Sequence, residues 1–358
     1  MVTAPHDAFA GYIGNDAAIG LLREDAARPS QAYLFVGPSN VGKAEAARRF
    51  IAELLGGPDA DVRRRVHAGT HPDVMLVEPD GRTAITVDQA RRTIGLASLA
   101  PMEADRKVFL FEEGGMMNDE AANALLKTLE EPTASTVFVI VAESEDDLPD
   151  TVASRCRTVV FGRVGETELA AGLERLGIEA DQAQQAARIA GGRPGLAIAL
   201  ATRPEVARFR AAWLGVPMRL SEHPGDAFVL ADEVTASAEP LLEALRDRQG
   251  SEADAAGADA ATGRVLRERH EREMKRATAA LYVSGLEILA SCYRDVAAAQ
   301  VGAAVRNPDL PLAALTSIPP ASAVAAAATV LDSIDALRAN QRPQLALAAL
   351  FSGLGARG

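Results

Sequence analysis

Short apolar runs alternate with longer stretches of helical periodicity over the first half of the chain. The runs are Tyr33–Val36, Val74–Val77, Val108–Phe111, Val137–Val141 and Thr158–Phe161. Four of them are near-continuous Val, Leu, Ile and Phe, which predicts strands covered by helices on both faces. Lys43–Leu55, Val87–Leu99 and Asp119–Leu129 lie between them with apolar residues at helical spacing. Asn118 is placed to cap the third helix, and Pro132 to stop it after the acidic pair Glu130-Glu131. The alternation predicts an α/β three-layer domain with a mostly parallel sheet.

Strand patterns vanish after Arg163. Glu166–Leu176, Asp181–Ala190 and Leu196–Ala201 read as helices, with Gly191-Gly192-Arg193-Pro194-Gly195 as a break. From about Pro204 onward the composition is again helical. It is interrupted by Gln249–Gly263, whose Ala, Asp and Gly content predicts a mobile loop. Arg264–Arg276 mixes Arg, Glu and Lys at helical spacing; the interspersed acids favour a solvated helix face over a nucleic-acid patch. The expected organisation is an α/β domain over 1–164, a small helical domain over 165–203 and an all-α domain over 204–358.

A length of 358 residues suits two or three domains, and 48% hydrophobic with 24% charged residues is a globular profile. The net charge of −12 repels nucleic-acid phosphates from the chain as a whole, so any DNA contact is expected locally or through partners. One Trp and four Tyr are too few for a stacking surface. Cys156 and Cys292 cannot form a disulfide framework, and no CxxC pair is present for zinc. The opening MVTAPHDAFAGYIG lacks the basic-then-apolar order of a signal peptide, and no apolar stretch is long enough to span a membrane. A cytoplasmic location with no membrane partner is the expectation.

The chemistry concentrates at Gly37-Pro38-Ser39-Asn40-Val41-Gly42-Lys43, a phosphate-binding loop in its expected strand–loop–helix setting. Such a loop wraps phosphates with backbone N–H groups, its Lys reaches the β/γ oxygens, and a following Ser/Thr hydroxyl holds Mg²⁺. Here the following residue is Ala44, whose methyl cannot bind a metal. The third apolar run ends in Glu112-Glu113. In P-loop ATPases a strand of this kind delivers one acid near Mg²⁺ and another that activates water. A Glu at the first place sets its oxygen about a bond length too far for octahedral Mg²⁺. Two acids merely capping a strand end are the plainer alternative.

Asn118–Pro132, with its Leu125-Leu126-Lys127-Thr128-Leu129-Glu130-Glu131-Pro132, resembles a helix of the bacterial clamp-loader ATPases. Ser154-Arg155-Cys156 is similar to that family's Ser-Arg-Cys motif. His71-Pro72-Asp73 and Gln31–Phe35 fit the same pattern, and Tyr293-Arg294-Asp295 fits it more weakly. The resemblance covers residues 10–200 and beyond them rests on helical character alone. It implies an AAA+ (P-loop NTPase-like) α/β domain, a small helical lid and an all-α C-terminal collar domain that joins subunits into an open ring.

In that family the Arg of Ser-Arg-Cys reaches toward ATP on the neighbouring subunit, which casts Arg155 as an arginine finger in trans. An Arg pairing with a carboxylate near the sheet end is the alternative for the same residue. Departures from the motor subunits gather at one site. Ala44 stands for Ser/Thr, Glu112-Glu113 for Asp-Glu, Ala142-Glu143 for a polar sensor, and Gly195 for the lid Arg, with Arg193 two positions early. The resemblance therefore implies a non-hydrolysing stator subunit of the DNA polymerase III clamp loader. Its implied partners are the gamma/tau and delta subunits of a hetero-pentamer, the sliding clamp and, through the assembly, primer-template DNA. ATP binding is left open as weak or non-productive. No zinc is expected, because Gly56–Thr70 holds Arg63-Arg64-Arg65 where relatives carry a four-cysteine module. An active motor-type AAA+ ATPase is the alternative; a kinase or GTPase relative would leave Ser-Arg-Cys unexplained.

Overall fold

The computed structural model describes residues 7–79, 84–131, 133–256, 260–311, 317–338 and 342–356. They form two compact units that divide at Ile198–Ala199. The first unit holds strands β1 (Ala32–Val36), β2 (Val74–Leu76), β3 (Lys107–Phe111), β4 (Thr136–Val141) and β5 (Arg157–Val160). Its helices begin with α1 (Asp16–Asp25), α2 (Lys43–Gly56), α3 (Ala60–Ala68), α4 (Val87–Ala97), α5 (Asp119–Glu130) and the short α6 (Asp150–Ala153). The strands are all parallel, in the order β2-β3-β4-β1-β5.

Every residue of β1, β3 and β4 is buried, because alternate side chains enter two different cores. Tyr33, Phe35, Val108, Leu110, Val137 and Val139 pack with Phe50 and Ile51 of α2. Leu34, Phe109, Phe111, Phe138 and Ile140 pack on the opposite face with Leu125 and Leu129 of α5. This is the physical origin of the unbroken apolar runs. Asn118 caps α5 as expected, its side chain accepting from Ala121 N at 2.8 Å. Pro132, read as the stop of that helix, lies outside the described residues.

Asp73 fixes the loop between α4 and β3. Its fully buried carboxylate accepts from the backbone N–H groups of Met102, Glu103 and Ala104 at 2.5, 2.8 and 2.9 Å. Burial opposes the charge, but these donors outweigh it and hold the pKa below the usual Asp value.

The chain continues through α7 (Glu166–Arg175), α8 (Ala180–Ala190) and α9 (Pro194–Thr202). The second unit contains α10 (Pro204–Leu214), α11 (Pro224–Ala236), α12 (Glu239–Ala256), α13 (Ala260–Gln300), α14 (Pro320–Arg338) and α15 (Pro343–Gly355). The loop expected over Gln249–Gly263 is a misreading of composition. Helix α12 runs to Ala256 and α13 starts at Ala260, while 257–259 lie outside the described residues. Alanine is the best helix former, and Gln249 ties the two helices by donating to Glu273 Oε2 at 2.8 Å. Arg264–Arg276 lies within α13, as its spacing predicts.

Trp213 and Phe351 centre the core of this unit, and Gly285 lets α13 approach α10. A Cβ at Gly285 would overlap the indole of Trp213. A polar knot lies in the same unit. Buried Arg210 meets Asp309, with one of the contacts at 2.8 Å, and donates to Asn307 Oδ1 at 2.7 Å. Asn307 in turn donates to buried Asp295 through both its backbone N (2.7 Å) and its Nδ2 (2.8 Å).

Two outcomes follow for stability. Gly285→Ala should lower it by about 1–3 kcal/mol through overpacking, although Ala gains about 1 kcal/mol of helix propensity; urea denaturation reads the sign. Asp73→Ala should cost about 2–3 kcal/mol at pH 7. The unfolded Asp has the ordinary pKa and the folded one a lower value, so this stability is complete above about pH 4 and drains as pH falls through the folded pKa. Denaturation curves of parent and variant should therefore converge toward low pH.

Candidate functional site

Strand β1 ends at Val36 and turns at once into residues 37–42 before α2 begins at Lys43. The turn is crowded. Gly37 has φ 145°, and a Cβ there would overlap the Phe161 carbonyl; one at Gly42, φ 105°, would strike the Tyr12 hydroxyl. Only glycine fits either place. Asn40 also adopts a left-handed φ of 63°. Val41 is fully buried beneath the turn, and Ala44 follows in the first turn of α2.

The side chains of Ser39 and Lys43 and the N–H of Gly37 find partners within the chain. Lys43 is buried, and its Nζ donates back to the carbonyls of Gly37 (2.5 Å) and Pro38 (2.7 Å). Burial lowers its pKa below the ordinary Lys value, against the pull of Glu143 and Asp147. Ser39 Oγ bonds Glu143 Oε1. Sheet hydrogen bonding brings this acid to the loop: Ala142 N donates to Phe35 O (2.9 Å) and Gly37 N to Glu143 O (3.1 Å). Asp147 Oδ2 then fixes the backbone, accepting from the N–H groups of Glu143 and Ser144, each at 2.9 Å.

At the end of β3, Glu112 is met by Arg48 of α2, Nη2 to Oε1 2.7 Å. Arg48 lies four residues beyond Ala44, on the same face of the helix. A guanidinium thus contacts the carboxylate that a metal would require. Glu113 follows, just before the short turn Gly114–Met116. With Ala44 lacking an oxygen, Ser39 joined to Glu143 and Glu112 joined to Arg48, the donor set does not fit magnesium–nucleotide in this arrangement. Among the described residues no group of three or more His, Cys, Asp or Glu is placed to hold a metal. A cavity of about 340 Å³ lies elsewhere, lined by Arg49, Arg63, Arg64 and His67 among others, and includes none of residues 37–43.

Arg155 follows α6 and is exposed. Its Nε donates to Glu130 Oε1 at 2.8 Å, Nη2 contacts the same oxygen, and Nη1 donates to Thr151 O at 2.6 Å. Ser154 ends α6, its Oγ 3.5 Å from Thr151 O. Cys156 packs beside the core, and burial pushes its thiol up to about 12, so it is protonated and unreactive at neutral pH. Arg193 turns back to donate to Ala190 O, and Gly195 lies in α9.

The structure thus brings Ser39, Lys43, Ala44, Glu112 and Glu143 to one end of the sheet and joins Arg155 to a different neighbour. Neither Arg48 nor Glu130 had a functional role in the sequence reading, and Glu143 figured there only as a lost sensor. Nothing local marks Arg48, since its partner is far along the chain. Glu130 was in view as one of an acidic pair ending a helix.

A Lys bonded to its own loop carbonyls carries a structural load that a ligand-seeking Lys would not. Lys43→Met keeps the stem and deletes the donor, so it should lower stability by about 1–3 kcal/mol. Thermal unfolding of the variant without nucleotide checks this; an unchanged or higher Tm would contradict the internal bonds.

Residues 15–164 match the family model described as DNA polymerase III, delta subunit. The chain is similar to the DNA polymerase III subunit delta' of Pseudomonas aeruginosa, 37% identical over 139 residues, 36% of this chain and 42% of the relative. It is also similar to the subunit tau of Bacillus subtilis, 31% identical over 164 residues, 43% of this chain and 28% of the relative. A solved gamma subunit-related protein of Thermotoga maritima aligns over 95% of this chain and 99% of its own length, with TM-score 0.47 and 17% identity. The matches to these curated relatives span less than half of each relative's length. Among the described residues no helix is long and apolar enough to cross a membrane. Residues 15–164 thus resemble DNA polymerase III subunits, with the delta' and tau subunits among the similar relatives.

Proposed function

We propose that this chain is a non-hydrolysing stator of the bacterial DNA polymerase III clamp loader. It helps load the sliding clamp on DNA and lends Arg155 to ATP held by a neighbouring motor subunit. The observation that carries the reading is the internal pairing of the loop site: Lys43 on its own carbonyls, Ser39 on Glu143 and Glu112 on Arg48. Lys43 and Glu112 stand where hydrolysis needs groups for phosphate and metal, and Ala44 supplies no oxygen beside them. Arg155 is different, because it is exposed and offers a planar fork of donors suited to a phosphate.

In this reading residues 1–164 are the AAA+ domain, 165–203 the lid and 204–358 the collar. The partners are gamma/tau and delta subunits in a hetero-pentamer, with the clamp and primer-template DNA reached through the assembly in the cytoplasm. The guanidinium bridges oxygens of the neighbour's γ-phosphate and stabilises charge as the terminal bond breaks. The similarity to tau and the presence of Lys43 favour the alternative of an active motor subunit. The paired donor set weighs against it.

Measurements on the isolated chain and on the reconstituted loader separate the two. The isolated chain should hydrolyse no ATP, and Mg²⁺ should not tighten any nucleotide binding seen by titration. Arg155→Ala should slow turnover at the one neighbouring site by about 10³-fold, the lower end for arginine fingers. Motor-like turnover by the chain alone, or an assembly indifferent to the substitution, would overturn the stator.

A further inference from the structure

The finger reading requires the guanidinium to be aimed, and the chain carries the means. We propose that Glu130, with the Thr151 carbonyl, is a positioning residue that orients Arg155 toward the adjacent subunit's phosphate. The inference rests on the assignment of Arg155 as a finger in trans.

The donor count supports it. An Arg has five N–H groups in a planar fork. The Nε group and one on Nη2 meet Glu130 Oε1, and one on Nη1 meets Thr151 O. Two remain, one on each terminal nitrogen, with no acceptor among the described residues. A phosphate is bridged by that kind of pair, one N–H from each terminal nitrogen. The holding groups are also well anchored. Glu130 closes α5, whose Leu125 and Leu129 are in the core, and Thr151 belongs to α6, whose Val152 is fully buried. Without the carboxylate, a long exposed side chain would be tethered only through Thr151 and would sample many rotamers. A phosphate would then meet the productive one less often.

The same contact could act in the opposite sense, as a latch that phosphate must break. The count argues against that, since one N–H on each terminal nitrogen stays available while Glu130 and Thr151 are engaged. Its sign is measurable.

The test is steady-state ATPase of the reconstituted loader with clamp and primer-template DNA. The variants are Glu130→Ala, Glu130→Gln, Arg155→Ala, the double variant, and Glu131→Ala as a charge control. Glu130→Ala should lower kcat by about three- to tenfold, the scale of one partly exposed ion pair, with KM for ATP unchanged. Glu130→Gln keeps the acceptor oxygen and should recover much of the rate. Glu131→Ala should have no effect, and the double variant should be no slower than Arg155→Ala. Analytical gel filtration and Tm of each subunit check assembly and folding.

If Arg155→Ala has no effect, the finger assignment itself fails. If Arg155→Ala slows the assembly but Glu130→Ala leaves kcat unchanged, the finger stands and the positioning role falls. A rise in kcat with Glu130→Ala would make the contact a latch and also overturn the proposal. A loss that persists undiminished in the Arg155→Ala background would assign Glu130 another role.

Discussion

A charge taken out of water must meet an opposite charge or a hydrogen-bond partner, and at this end of the sheet the chain itself supplies them. Nucleotide and metal would normally do that work in a phosphate-binding loop. Lys43 is buried whatever occupies the site, so its ammonium needs acceptors, and it finds them in Gly37 and Pro38. The end of β3 presents Glu112 beside α2, and Arg48 stands where it can neutralise that acid. The close approach of Phe161 to Gly37 and of Tyr12 to Gly42 then holds the turn in this shape. The geometry follows from satisfying these groups together.

The magnitudes explain why the substitutions belong together. Stripping the partner from a buried carboxylate costs about 3–5 kcal/mol, whereas a surface ion pair contributes under about 1 kcal/mol. Glu112 is only a fifth exposed, so leaving it unpaired would lie nearer the first figure. A chain that gave up magnesium while keeping an acid on β3 would need a cation in its place. Arg48 is such a cation, delivered by the same helix that carries Ala44.

Much of this was legible in the sequence, and the rest was hidden for identifiable reasons. Strands β1, β3 and β4 announced themselves because both of their faces are buried, which leaves long apolar runs. The N-terminal cap of α5 was visible since Asn118 is a local signal. Helix α3 was not, because only Val62 and Val66 of its nine residues are buried and its Arg-rich remainder carries no apolar stripe. The Gln249–Gly263 misreading had the opposite cause: Ala and Asp resemble a linker until a partner helix is present to bury Gln249. At the site, the loop and the absent hydroxyl at Ala44 could be read directly. The pairings Ser39–Glu143 and Arg48–Glu112 could not, since each joins residues that only the parallel strand order brings together.

The two arginines show how one side-chain chemistry takes on opposite tasks according to its surroundings. Arg48 faces an acid at the sheet end, where water is partly excluded, and its charge is spent inside the fold. Arg155 also meets an acid, Glu130, but both side chains are substantially exposed, so an outside anion can reach the guanidinium. A phosphate carries more charge than a carboxylate, so on the proposed reading a presented γ-phosphate takes the donors that Glu130 and Thr151 leave unused while Glu130 keeps its own. Arg48, by contrast, faces Glu112, which is only a fifth exposed. On the proposed stator reading, the loop's pairs are spent inside the fold, while Arg155 keeps donors open to an anion from a neighbour.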